Sequence, residues 1–286
     1  MTARQPSLSR RSAVIAAALL CTVSLALGAH AALNKRSPDA GKSAATEQSA
    51  ALGNGARLAL VIGNAHYPDA NAPLAQPIND ARALTGALRR DGFDVDIVED
   101  ATREDMSRAI ERLKSRIKPD SVVMLFFGGY AIQAGRESYM IPVDARIWKE
   151  ADVRREGTSI EQVLDAVREQ GARAKLLVVD ASRRNPYERR FRAYSHGLAP
   201  ISAPANALIL SSATPGKVLD DPNGQSNSVL VSELLRQIGK TASAEAVFTK
   251  TRNAIVRSSD GEQVPMMSSS LVEDIRLSTD VANAGS

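Results

Sequence analysis

The stretch that most constrains the fold is Ala174 to Tyr187, AKLLVVDASRRNPY. Leu176-Leu177-Val178-Val179 is a continuous apolar run without alternation. Such a run predicts a strand buried on both faces, in the middle of a parallel sheet. It passes directly into Asp180-Ala181-Ser182. Open α/β sheets place their chemistry just past the carboxyl ends of such strands, so Ser182 occupies the position expected of a nucleophile.

The remaining segments supply a matching sheet. Leu58 to Ile62 and Val122 to Phe127 are further buried runs, ended by Gly63-Asn64 and Gly128-Gly129. Phe93, Val95 and Ile97 alternate with Asp94 and Asp96, which predicts a more exposed strand. Ala207 to Leu210 predicts another strand, and Leu271 to Leu277 the final one. Ser138 to Val143 reads as a short strand in an excursion, and His66 to Pro77 as an irregular loop. Helices are predicted over Asn79–Arg90, after the Thr102-x-x-Asp105 capping box, after Ser159-x-x-Gln162, and near Ser228–Ile238 and Ala244–Ser258. The strand–helix alternation predicts an α/β fold with a doubly wound, mostly parallel sheet flanked by helices. The loops after the strands at 57–63, 122–127 and 176–179 then converge on one cleft holding Asp80, Tyr130, Asp180 and Ser182.

The chain of 286 residues carries a formal charge of +4, but three arginines fall within residues 1–31, which hold no acid. Without them 33 basic residues face 32 acidic ones, a net of +1, and such a body has no global field to draw in nucleic acid or an anionic membrane. Aromatics at 4% leave little for stacking on bases. Arg4, Arg10 and Arg11, the uncharged stretch Ser12–Gly28 and Ala29-His30-Ala31 read as a signal peptide over residues 1–31, cut after Ala31. The alternative is an uncleaved anchor in the inner membrane over residues 12–33, about long enough to span. The expected location is therefore exported, periplasmic or secreted. Residues 32–56 read as a flexible linker, 57–278 as the folded domain and 279–286 as a tail. Cys21, the only cysteine, lies inside the signal, so no disulfide, thiolate metal site or cysteine nucleophile is expected in the exported part.

Seven segments in order resemble the caspase-like domain of bacterial metacaspase homologues, the orthocaspases of the peptidase C14 group. They are LALVIGNAHY (58–67), PINDARALTGAL (77–88), MLFFGGYAIQ (124–133), YMIPVDA (139–145), LLVVDASRRNPY (176–187), HGLAPI (196–201) and QVPMMSSSL (263–271). The resemblance implies a caspase-like fold. It maps the general-base histidine of active members, within YAGHG, onto Tyr130, and their nucleophilic cysteine, within DACRNNP, onto Ser182. Both positions of the dyad are replaced, while their separation of 52 positions matches the roughly 50 of caspase-type enzymes. The resemblance also places the acidic pair that receives a basic side chain at Asp80 and Asp180. A second reading stands beside it: Asp80 as a first-turn helix carboxylate and Asp180 as a strand-end carboxylate bonded to loop amides.

A serine hydroxyl needs a base beside it, whereas a cysteine is partly thiolate at neutral pH. A tyrosine of ordinary pKa, about 10, is phenolate in only about one molecule in a thousand at pH 7. Tyr130 thus reads as a hydrogen-bond partner of Ser182 and not as its base. His66 and His196 are the histidines that a rival, serine-dependent mechanism would recruit. Arg183, Arg184, Arg189, Arg190 and Arg192 form a basic run that reads as a solvated loop, a processing site or a pseudosubstrate for the acidic pocket. No Walker A, GxGxxG or EF-hand pattern is present, His66 and His196 stand too far apart in sequence to suggest a zinc pair, and Asp220-Asp221 before Pro222 reads as a turn. No cofactor or metal is expected. The leading expectation is an inactive caspase-like module for Arg- or Lys-containing peptides or active homologues; the rival is a serine-dependent endopeptidase of Arg/Lys preference using Ser182; a third is a scaffold with an empty cleft.

Overall fold

The computed structural model describes residues 55–68, 70, 73–184, 186–187, 197–219, 225–240 and 243–278. The signal or anchor segment, nearly all of the linker, the tail, Asp220-Asp221, His196, and Arg189, Arg190 and Arg192 lie outside the described residues. Among the described residues no helix is long and apolar enough to cross a membrane.

A six-stranded sheet forms the centre. In chain order its strands are β1 (Arg57–Gly63), β2 (Asp94–Glu99), β3 (Val122–Gly128), β7 (Ala174–Asp180), β8 (Ala207–Ser211) and β9 (Met266–Ser269). Their spatial order is β2-β1-β3-β7-β8-β9. All pairs are parallel except β8 with β9. The expected mostly parallel, doubly wound sheet is therefore present. A second, antiparallel sheet of β4 (Ala131–Ala134), β5 (Glu137–Met140) and β6 (Thr158–Ser159) follows the end of β3.

Period-two side-chain alternation divides the core into two faces. Val61, Phe126, Val178 and Leu210 point to one face, where they meet α1 (Pro77–Arg90), α5 (Val229–Gln237) and α6 (Ala244–Ser258) through Leu84, Leu234 and Phe248. Leu60, Leu125, Leu177 and Ile209 point to the other, against α2 (Arg103–Arg116) and α4 (Ile160–Glu169) through Met106, Leu113 and Leu164. A strand covered on both faces must be apolar at every position, which is why the run at 176–179 shows no alternation. Each large side chain buried this way contributes about 1.5–3 kcal/mol.

The helix starts were legible. Thr102 Oγ1 accepts the Asp105 N–H at 3.2 Å while Asp105 Oδ2 accepts the Thr102 N–H at 3.1 Å, the reciprocal capping box. Ser159 caps α4 by accepting the Gln162 N–H at 3.2 Å. Helix α1 starts at Pro77, two residues before the expected Asn79, because proline suits the first helical turn.

Two expectations need correction. The last strand is Met266–Ser269, paired with β8, and not Leu271–Leu277, which makes only an isolated bridge between Arg276 and Ser243. Ile275 and Leu277 are buried, but against the helices of the first face, so their alternation reflects side-chain anchoring without a ladder. The excursion strand ends at Met140 and not at Val143, since Pro142 has no N–H for a ladder. β4, β6 and the short helix α3 (Glu150–Glu156) were not foreseen; segments this brief carry too little periodicity to read.

Candidate functional site

The ends of β3 and β7 bring the site together. Gly128 and Asp180 are in register, and the Gly129 N–H donates to the Asp180 carbonyl at 3.3 Å. Tyr130 and Ser182 each follow two residues after that matched pair. Gly129 has φ +154°, and a Cβ on it would lie 2.6 Å from the Tyr67 hydroxyl, so no side chain fits there. That hydroxyl accepts the Tyr130 N–H at 3.0 Å and donates to the Ile141 carbonyl at 3.0 Å. The Tyr67 and Tyr130 rings meet edge to face, centroids 4.8 Å apart. Burial pushes the Tyr67 hydroxyl well above the usual tyrosine range, keeping it neutral as donor and acceptor.

Past β7 the chain turns inward. Ser182 is only 2% exposed, and its carbonyl accepts the Leu219 N–H at 2.6 Å, which ties the loop before residue 220 onto it. Arg183 is also buried, with its guanidinium 3.7 Å from Asp180 Oδ1. The guanidinium donates to the Asp180 carbonyl and to the Gly129 carbonyl. The basic run is therefore not a uniformly solvated loop: Arg183 is folded into the site, while Arg184 is exposed. Sequence reading missed this because a cation beside four other arginines looks like surface.

Asp80 is completely buried in the first turn of α1. Its Oδ1 accepts the Asn227 side-chain N–H at 2.8 Å and the Ser228 backbone N–H at 3.0 Å, and Ser228 in turn caps α5. Asp80 Oδ2 and Asp180 Oδ2 are buried with no hydrogen-bond partner among the described residues. Burial first, and the Asp180 charge second, push the Asp80 carboxyl up to about 6, against the pull of its bonds to Asn227 and Ser228. Among the described residues, two carboxyls and the Arg183 guanidinium share this interior, so the acids outnumber the cations there by one.

Asp180, Ser182 and Arg183 line a cleft of about 340 Å³ together with Val218, Leu219, Val229, Leu230 and residues of the Ser259–Gln263 turn. That volume is in the range of small-ligand sites, about 300–1,000 Å³. Tyr130 packs beside this cleft's strand ends, against the core around the small sheet, and Asp80 sits beneath its wall residue Ser228. His66, the recruitable base, is exposed and bonded through Nδ1 to Asp100 Oδ2 at 2.6 Å. Burial disfavours charge on Asp100, but the His66 and Ala65 amides and the His66 ring outweigh it and hold the carboxyl below its usual range. Among the described residues no group of three His, Cys, Asp or Glu side chains could hold a metal.

Comparison with known proteins agrees with this architecture. The family model described as the caspase domain, peptidase C14, matches residues 56–276. The human mucosa-associated lymphoid tissue lymphoma translocation protein 1 is 30% identical over 89 residues, and its mouse homologue is also 30% identical over 89 residues. Those matches cover 31% of this chain and only 11% of each relative. With most of the described fold inside the matched span, the chain belongs to the caspase domain family.

Proposed function

We propose that this protein is a caspase-fold module without peptidase activity that holds peptide segments by an arginine or lysine side chain. The observation that carries the reading is the buried Asp80–Asp180 pair, whose acids outnumber the cations beside them among the described residues. A ligand guanidinium or ammonium supplies a further cation through charge-assisted bonds to the carboxylate oxygens that lack a partner among the described residues. Loss of hydrolysis follows from the replaced dyad. Ser182 has the weaker nucleophile's hydroxyl, Tyr130 is a poor base at neutral pH, and Leu219 covers the serine backbone. The N-terminal segment, as signal or anchor, would deliver the module outside the cytoplasm.

The test uses the full chain with fluorogenic Arg and Lys peptides, comparing wild type, Ser182→Ala and the double variant Tyr130→His/Ser182→Cys, with binding of labelled peptides followed in parallel. The expected result is binding without turnover in wild type and loss of binding in Asp180→Ala. Hydrolysis by wild type that disappears in Ser182→Ala would make Ser182 a working nucleophile and overturn the inactive reading. Unchanged binding in Asp180→Ala would remove the acidic pocket from the account.

A further inference from the structure

We infer that the cleft receives two basic side chains of one peptide, the first at Asp180, the member of the Asp80–Asp180 pair that lines it, and the second at the exposed Glu262, an inference that rests on the binding reading above. Asp180 lines the cleft with only 4% exposure, and its buried Oδ2 has no hydrogen-bond partner among the described residues. Glu262 lines the same cleft from another element, is exposed, and forms no ion pair among the described residues. The same cleft has apolar lining at Val218, Leu219, Val229 and Leu230. Arginine and lysine side chains suit such a surface, laying their methylene stems along it and keeping the charged head at its end.

The Glu262 backbone is also held in place. Its N–H donates to the Ser259 carbonyl at 2.9 Å. The Gln263 N–H donates to Ser259 Oγ at 3.0 Å, and Gln263 Nε2 donates to the Ser212 carbonyl at 2.9 Å, which pins the turn to the end of β8. Asp260 and Gly261 take positive φ, 48° and 84°, to close it. A turn whose backbone is fixed before the ligand arrives presents its carboxylate at a defined place, and the modest attraction of an exposed acid goes into discrimination. The cleft therefore prefers peptides with two basic residues close together over peptides with one.

The experiment measures anisotropy of two fluorescein-labelled hexapeptides, one with a single arginine among alanines and one with two adjacent arginines, on the full chain. Wild type should bind the dibasic peptide about fivefold more tightly at low salt, as befits one added exposed ion pair. The ratio should shrink at high salt, since an exposed pair is screened. In Glu262→Gln the ratio should fall to near one, with circular dichroism confirming the fold. A wild-type ratio near one, with the single-arginine peptide still bound, overturns the two-site inference and leaves the Asp80–Asp180 reading standing. A preference that persists in Glu262→Gln overturns it too. Absence of binding by either peptide overturns both readings.

Discussion

Asp80 accepts the backbone N–H of Ser228 at 3.0 Å across 148 residues of sequence, so a carboxylate from the first turn of α1 anchors the start of α5. The same side chain faces Asp180 inside the protein, which couples the folding of two helices to the charge state of the site.

That coupling predicts a pH dependence. The Asp80 carboxyl titrates at about 6 in the fold, against 3.8 ordinarily. Below the lower value it is protonated in both states and exacts no penalty. Above the upper value the folded state carries a disfavoured charge, so this group's contribution to stability is lost as pH rises from about 4 to 6, by up to about 3 kcal/mol. Asp80→Asn should therefore gain stability relative to wild type as pH is raised across that window. Urea unfolding of both proteins at pH 4 and pH 7 checks it; parallel curves would show that Asp80 does not titrate there. Cation binding has the opposite sense, since it needs the ionised acid and should weaken as pH falls through 6.

Tyr67 supports the strand end that carries Tyr130. Tyr67→Phe removes the acceptor of the Tyr130 N–H and should cost about 1–3 kcal/mol by leaving that donor unsatisfied, while the Ile141 carbonyl keeps the Asn64 side-chain N–H at 3.2 Å. Gly129→Ala should cost at least about 1 kcal/mol, since its Cβ would sit 2.6 Å from the Tyr67 hydroxyl on a backbone at φ +154°. Chemical denaturation of the two variants measures both losses. A Gly129→Ala protein as stable as wild type would show that the hydroxyl moves aside freely.

Lys175 lies in the central strand β7 with 2% exposure and one long contact, Nζ to the Ala172 carbonyl at 3.4 Å. Burial, and then the Arg168 charge, lower its ammonium below the usual lysine range. Lys175→Met keeps the stem and removes the desolvated charge, so it should be neutral or stabilising by about 1 kcal/mol. A fall in thermal midpoint would show that the ammonium is better satisfied than its geometry indicates.

The capping box of α2 offers a control away from the site. Thr102→Ala should destabilise by about 1 kcal/mol and leave peptide binding as it was. If peptide affinity also fell, α2 would be coupled to the cleft.

Periodicity and motif order were sufficient for the architecture. The unbroken run at Leu176–Val179 marked a strand covered on both sides, and Thr102 and Ser159 marked helix starts, because these signals depend on neighbours within a few residues. The same order of segments carried the family resemblance and brought Tyr130 and Ser182 to adjacent strand ends. Tertiary structure alone settled which charges are inside. Arg183 reads as one of five surface arginines until its guanidinium meets Asp180 and two backbone carbonyls, and nothing in the sequence marks Glu262, which the fold brings to the same cleft as Asp180. The strand at Met266–Ser269 took the edge of β8 in place of the more alternating Leu271–Leu277. Local pattern reports how a side chain points relative to its own backbone; the cost of burying a charge, and the edge a strand finds, depend on groups tens to hundreds of residues away.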